Sequence, residues 1–217
     1  MEDKRNDQAS EPRRGDLPGR PDRLVKTITA EKIVLASSSP RRAEILRMVG
    51  WPFDTSPVEI DESLHAGEDA TTYVQRLAQA KAEAAAFRSP GFPIVGADTV
   101  VVIDREILGK PRDDEDARRM LRLLSDRWHQ VLTGVAILNG ARFETKVAHE
   151  TTEVKFARMS EQEISWYVAT GEPMDKAGAY AIQGLGARFV EGIKGDYFNI
   201  VGLPVRLVYR LVREIKI

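Results

Sequence analysis

The chain has 217 residues, 42% of them hydrophobic and 30% charged, with a formal net charge of −1 and no cysteine. That length and apolar content suit one soluble domain burying roughly 70% of its unfolded surface, and the longest apolar runs are strand-length, far short of a membrane span. The near-neutral balance gives no global field toward nucleic acid or membrane, and the lack of cysteine excludes disulfides, thiol catalysis and zinc-thiolate sites.

Residues 1–30 contain Pro12, Pro18 and Pro21, many charges and hardly any large apolar side chain, so they are expected to form a disordered tail ahead of a domain spanning 31–217. The tail lacks the apolar core of a signal peptide, and its acidic residues argue against a transit peptide. Next, Ile33-Val34-Leu35 runs into Ser37, Ser38 and Ser39, and Pro40 stands where a helix would begin. This predicts strand, tight turn and helix, with Ser39 as the cap and Pro40 at the first helical position. Arg41 and Arg42 then place two cations in the first turn, where the macrodipole is positive and free N–H groups already favour an anion. With the serine hydroxyls, Ser37 among them, the stretch reads as a phosphate cradle without P-loop spacing, the alternative being a solvated basic turn.

After Gly50, residues 53–56 suit a short strand, and Glu59, Asp61 and Glu62 gather in a polar loop. They either solubilise the loop or, beside a phosphate cradle, help to hold magnesium, which usually takes one or two carboxylates together with substrate phosphates. Residues 69–87 form a helix with Tyr73, Val74, Leu77 and Ala84 on its apolar face, and Lys81 falls on that same face. It must snorkel to the edge of the core or point into a cleft. Residues 94–103 are a buried strand with Asp98 inside it, a costly place for a carboxylate unless it is paired, coordinated or facing a site; a structural aspartate is the alternative. Asp104-Arg105 makes a hairpin-like turn, and Lys110, between Gly109 and Pro111, is either a phosphate contact or a loop lysine.

Residues 113–125 are a helix opened by acidic side chains, with Ala117, Met120, Leu121 and Leu124 as the buried stripe. Residues 128–138 and 142–156 alternate as paired strands about an Asn139-Gly140 turn, and His129 and His149 are not spaced as metal ligands. Ser160 to Glu163 is a capping box, and Gly171 and Pro173 stop the helix that follows. Gly178, Gly184 and Gly186 then crowd a segment in which backbone can approach a ligand, without the spacing of a dinucleotide fingerprint. Gln183 sits there with an amide able to read a base edge by one donated and one accepted bond. A further turn and strand are expected over 192–201, and Pro204 opens a closing helix with Val205, Val208, Leu211 and Val212 inside.

Taken together, Leu35-Ala-Ser-Ser-Ser-Pro-Arg-Arg42, Gly96-Ala-Asp-Thr-Val100, Gly109-Lys-Pro-Arg112, Asp175-Lys-Ala-Gly-Ala-Tyr-Ala-Ile-Gln-Gly184 and Val201-Gly-Leu-Pro204 resemble the Maf family of nucleoside triphosphate pyrophosphatases. The resemblance implies an α/β fold whose mixed sheet splits into two lobes around a central cleft, similar to inosine triphosphate pyrophosphatases. It also implies cleavage of a nucleoside triphosphate to the monophosphate and pyrophosphate with a divalent cation, magnesium or manganese. Carried over position by position, Asp98 matches the catalytic proton acceptor and Arg41, Thr99 and Gln183 match the specificity positions. Glu62 matches an acidic metal-site position, with Asp98 acting as base, metal ligand or both, and Lys81 and Lys110 match lysines facing the triphosphate, beside Ser37 and Arg42 of the phosphate cradle. Arg41 directly after Pro40, Thr99 after Asp98, and Ile182-Gln183 resemble the branch acting on dTTP and UTP rather than the one acting on 7-methyl-GTP. A cytoplasmic homodimer with a nucleotide substrate is the family expectation, and a low-turnover nucleotide-binding regulator of septum formation is the rival reading.

Overall fold

A computed structural model describes residues 32–89, 91–139 and 144–215, so the tail expected over 1–30 lies outside the described residues. In chain order the elements are β1 (Ile33–Leu35), α1 (Pro40–Met48), β2 (Phe53–Thr55), α2 (Ala70–Ala86), β3 (Pro93–Ile103), β4 (Glu106–Leu108), α3 (Asp114–Leu124), β5 (Trp128–Asn139), β6 (Glu144–Phe156), α4 (Glu161–Ala169), β7 (Val190–Lys194), α5 (Tyr197–Val201) and α6 (Val205–Glu214). Three short 3₁₀ segments, Glu172–Asp175, Ala177–Ala179 and Leu185–Phe189, lie between α4 and β7. Gly140, expected in the β5–β6 turn, lies outside the described residues.

The strands form one mixed sheet in the order β2-β1-β3-β5-β6-β7, with β4 also on β3. β1 is parallel to β2 and β3, while β3, β5, β6 and β7 pair antiparallel in succession. Along one edge, β3 pairs with β5 from Pro93 to Val102. Along the other it pairs with β1 at Ile94 and Val95 and with β4 only from Val101 onward, which leaves residues 96–100 without a strand partner. That gap in the sheet is where the cleft opens.

Strand alternation divides the core across β3. Val95 and Ala97 pack with β1, α1 and α6 in one apolar cluster, and on the same face Val101 and Ile103 join α3, α4, Val131, Val154 and Phe156 in a second. These are the two lobes, and Thr99 lies between them on β3. The opposite face carries α2, whose Ala78, Ala82 and Ala85 are fully buried. Alanine favours helix and lets backbones approach. A Cβ at Gly96 would stand 2.0 Å from the Ala78 carbonyl oxygen, and one at Gly134 would stand 2.2 Å from that of Val74, so α2 rests directly on the sheet. No helix among the described residues is long and apolar enough to cross a membrane.

Two local expectations are corrected. Residues 197–201 are a helical turn, not part of a strand: Asp196 caps it by accepting from the Phe198 N–H, Asn199 buries its amide, and Gly202 stops it in the left-handed region. Ser39 is the N-cap residue of α1 but its hydroxyl makes no capping bond; Ser37 Oγ instead accepts from the Ser39 N–H at 3.2 Å.

Candidate active site

The cleft has a volume of about 440 Å³ and is lined from both lobes, by residues 36–42, by the open edge of β3, and by residues 175–177 and 180–183. Of the three loop carboxylates, Glu59 and Asp61 are exposed outside it, Asp61 accepting from the Ser63 N–H. Ser37, Arg41, Arg42, Glu62, Lys81, Asp98, Thr99, Lys110 and Gln183 all line the cleft. They divide between the two faces of β3.

On the α2 face, Asp98 lies opposite Gly134 in the β3–β5 register, so its carboxylate rises beside the helix where the glycine gives room. Lys81 Nζ, from the buried side of α2, is 2.6 Å from Asp98 Oδ1 and 2.6 Å from Glu62 Oε1. The Lys81 and Asp98 side chains are each 11% exposed and Glu62 is 51% exposed, so a buried ion pair is joined by a carboxylate on the cleft wall. Burial pushes the Glu62 carboxyl up, but the Lys81 hydrogen bond and charge outweigh it and hold the group below its usual range. The loop carrying Glu62 is tied to α2: Tyr73 Oη donates to the Glu62 carbonyl oxygen at 2.7 Å, and Arg76 donates to the Ser63 carbonyl oxygen at 3.0 Å and pairs with Glu68 at 2.7 Å. The Tyr73 hydroxyl is pushed up to about 12 by burial and then by the charges of Asp98 and Glu62. Lys110, on the loop after β4, is exposed and forms no salt bridge among the described residues. Its charge reaches Glu62.

On the other face, Arg42 fills the gap in the sheet. It is buried, and its guanidinium donates to the Gly202 and Ala97 carbonyl oxygens at 2.8 Å each, to Ser37 Oγ at 3.1 Å and to Thr99 Oγ1 at 3.2 Å. Four of its five N–H donors are thereby directed at this protein's own atoms. Burial lowers its pKa, offset in part by the charge of Asp98. Ser37 Oγ accepts from two N–H groups, which leaves the hydroxyl proton to donate into the cleft. Thr99 Oγ1 lies 2.9 Å from Thr133 Oγ1, and Thr133 donates to the Asn199 carbonyl oxygen at 3.1 Å. A hydroxyl has one proton, so the Thr99 proton goes to Thr133, and toward a ligand Thr99 offers only an acceptor.

Arg41 reaches Asp175, with Nη1 to Oδ2 at 3.1 Å, and Lys176 pairs with the same carboxylate; all three line the cleft. Gln183 is exposed on the cleft wall, next to Ile182, which packs in the first lobe. The motif reading missed Asp175 and Lys176 as partners, although both belong to the quoted glycine-rich segment. It also missed Thr133 and Asn199, each a lone polar residue within an apolar run. Tyr73 looked like one more apolar position of its helix. The crowded glycines serve internal packing: a Cβ at Gly178 would meet the Val101 side chain at 2.7 Å, and Gly184 and Gly186 press on Glu172 and Tyr167.

The donor set suits a hard divalent cation. Glu62 and Asp98 direct oxygens at one point now taken by the Lys81 ammonium, and the open side of the cleft is free for phosphate oxygens. Among the described residues no group of three or more acidic or histidine side chains could hold a metal ion, so two carboxylates would need oxygens from a ligand to complete a shell.

Residues 32–215 match the sequence profile of the family described as Maf-like protein. The dTTP/UTP pyrophosphatase of Symbiobacterium thermophilum is 51% identical over 184 residues, covering 85% of this chain and 94% of that protein. The proteins of the same name from Koribacter versatilis and Bacillus thuringiensis subsp. konkukian are 51% and 47% identical, covering 84% and 85% of this chain and 93% and 94% of their own lengths. Among solved structures, the Staphylococcus aureus Ham1 protein superposes with a TM-score of 0.48 at 16% identity, over 86% of this chain and all of that one.

Proposed function

The chain belongs to the Maf family, and from that premise we propose that it is a dTTP and UTP pyrophosphatase, hydrolysing the α–β phosphoanhydride to the nucleoside monophosphate and pyrophosphate. The observation that carries the reading is that Asp98, Lys81 and Glu62 form one charged cluster in a single cleft that Arg41 and Gln183 also line. A triphosphate needs cations and a proton acceptor, a base needs donors and acceptors of matching pattern, and the cleft lining supplies both.

Asp98 accepts the proton of the attacking water, so that water's oxygen bonds to phosphorus as the anhydride breaks and pyrophosphate departs. Lys81 and Lys110 neutralise the triphosphate, and the Ser37 hydroxyl and N-terminal amides of α1 donate to its oxygens. Glu62 and Asp98 would hold a magnesium or manganese ion, which when bound offsets charge on the phosphates. Arg42, whose donors are directed at Gly202, Ala97, Ser37 and Thr99, contributes to phosphate binding mainly by holding Ser37 and the cleft wall in place. Gln183 donates to a carbonyl oxygen of uracil or thymine and accepts from N3–H, with Arg41 and Thr99 beside it. Family analogy adds a cytoplasmic homodimer, which sedimentation of the full chain tests.

The decisive assay incubates the full chain with each common triphosphate, 7-methyl-GTP and magnesium, and measures pyrophosphate and phosphate separately. Pyrophosphate released from dTTP and UTP before the others is the expected result. Tight nucleotide binding without pyrophosphate release would favour the regulator, and preference for 7-methyl-GTP would move the chain to the other branch.

A further inference from the structure

Between α4 and the cleft stands a pair of side chains that the hydrolytic reading does not use. Tyr167, fully buried on α4, donates its hydroxyl to Glu172 Oε1 at 2.8 Å and accepts from the Ala181 N–H at 3.3 Å. Glu172 in turn accepts from two consecutive backbone amides, with Leu185 N to Oε2 at 2.9 Å and Gly186 N to Oε1 at 3.0 Å. The pair therefore grips both ends of segment 181–186, and the residue at the middle of that segment is Gln183.

The two glycines record how tightly this is built. Gly184 has φ 98°, and a Cβ there would stand 2.7 Å from Glu172 Oε2. A Cβ at Gly186 would stand 2.5 Å from Tyr167 Oη and 2.6 Å from the Ala181 carbonyl oxygen. The backbone lies directly on the carboxylate and the phenol, and only glycine permits it. Burial pushes the Glu172 carboxyl up, but the two amides and the phenol outweigh it and hold the group below its usual range, so it is an anion over the neutral pH range and the bonds it accepts are charge-assisted. By contrast the exposed side chain of Gln183 makes no hydrogen bond of its own among the described residues. Its direction is set by the backbone that Glu172 holds.

We propose that Glu172, seated by Tyr167, is a positioning residue for base recognition, fixing segment 181–186 so that the Gln183 amide meets the pyrimidine edge. The inference rests on the reading above that Gln183 faces the base. It assigns Glu172 no contact with substrate.

The test compares the full chain with Glu172→Gln, Tyr167→Phe and Gln183→Ala. Glu172→Gln keeps the size but turns an amide NH₂ toward a backbone N–H that needs an acceptor. Three quantities are read: the ratio of kcat/KM for UTP to that for GTP, inhibition by pyrophosphate alone, and amide exchange at Leu185 and Gly186. In Glu172→Gln the ratio is expected to fall roughly tenfold through the KM for UTP, the scale of one unmade charge-assisted bond, with faster exchange at both amides and unchanged pyrophosphate inhibition. A purely structural role would lower the melting temperature and leave the ratio alone. If Gln183→Ala moves the ratio and Glu172→Gln does not, the inference is overturned and base reading by Gln183 stands. If Gln183→Ala leaves the ratio unchanged, base reading by Gln183 fails and the inference, which rests on it, falls with it whatever Glu172→Gln does. Should Glu172→Gln not fold, Tyr167→Phe decides by the same ratio.

Discussion

Asp98 and Thr99 are neighbours on β3, yet their side chains leave the sheet on opposite faces and meet opposite kinds of surroundings. On the α2 side, Lys81 is shared between two carboxylates, one of them on a half-exposed loop. On the other side, Thr99 sits in a relay in which Arg42, Thr133 and Asn199 are each committed to backbone or hydroxyl partners. Ion pairs at a cleft wall can exchange partners when a new charge arrives, whereas a relay of one buried arginine, two hydroxyls and an amide loses a hydrogen bond whenever one member turns. The first arrangement suits chemistry on a polyanion, and the second suits a template that discriminates by shape and donor pattern.

The sharpest way to break this division is on the charged side. Asp98→Asn keeps an oxygen for Lys81 to bond, and Lys81 retains Glu62, so the fold should persist. An amide cannot take a proton from water at neutral pH, so kcat for UTP should fall by roughly 10²- to 10⁴-fold, measured as pyrophosphate release. Near-normal turnover would remove Asp98 from the chemistry.

Next in size is Lys81→Met, which keeps a good helix former in α2 but leaves Asp98 and Glu62 facing each other without the ammonium. Breaking a buried pair costs about 3 to 5 kcal/mol, with the lower end expected because the Glu62 side chain is half exposed. Magnesium without nucleotide should raise the melting temperature of this variant more than that of the native chain, since the ion has no ammonium to displace. Binding of UTP should weaken more than binding of UMP. Equal magnesium shifts in the two proteins, or equal losses on the two nucleotides, would mean that Lys81 only snorkels at the core edge.

The two sides were unequally legible in the sequence. Asp98 and Lys81 announce themselves because a charge within an apolar stripe contradicts its local pattern, and the contradiction needs a partner. The helices and long strands follow likewise from periodicity, as the stripe Ala117, Met120, Leu121 and Leu124 illustrates. The relay around Thr99 gives no such signal, because threonine and asparagine are tolerated in strands and turns and their partners lie 34 and 66 residues apart. Arg42 illustrates the same limit. Two arginines at a helix start read alike, and only the tertiary gap beside β3 makes one a buried strut and leaves the other at the cleft wall. The apolar run at 197–201 read as strand because the Asp196 cap and the buried Asn199 amide, which decide for helix, act through bonds that periodicity does not carry.

The recognition end gives a smaller and more selective effect. Gln183→Glu presents an acceptor to pyrimidine O4, where an amide donated. The ratio of kcat/KM for UTP to that for 7-methyl-GTP should fall by about tenfold, the consequence of one hydrogen bond to the base replaced by an acceptor facing an acceptor. An unchanged ratio would show that Gln183 does not read the base.

The smallest expected effect tests the relay itself. Thr133 is fully buried on β5, accepts from Thr99 and donates to the Asn199 carbonyl oxygen. Thr133→Val conserves shape, removes both bonds, and releases the Thr99 proton, so that Thr99 can present a donor as well as an acceptor to a ligand. Stability should fall by about 1 to 3 kcal/mol, the net worth of two typical hydrogen bonds. Turnover of UTP at saturation should hold, because Asp98 and Lys81 lie on the opposite face. What should change is discrimination: preference for UTP over other triphosphates should drop less than in Gln183→Glu, as a substrate acceptor opposite Thr99 becomes tolerable. A double-mutant cycle with Thr99→Val separates the relay from a local packing loss. If the hydroxyls act as one unit, the effects on kcat/KM will not add, and the second substitution will cost little once the first is present. Full additivity would mean that Thr99 and Thr133 act independently, and that the Thr99 side of β3 is a set of separate contacts rather than a coupled template.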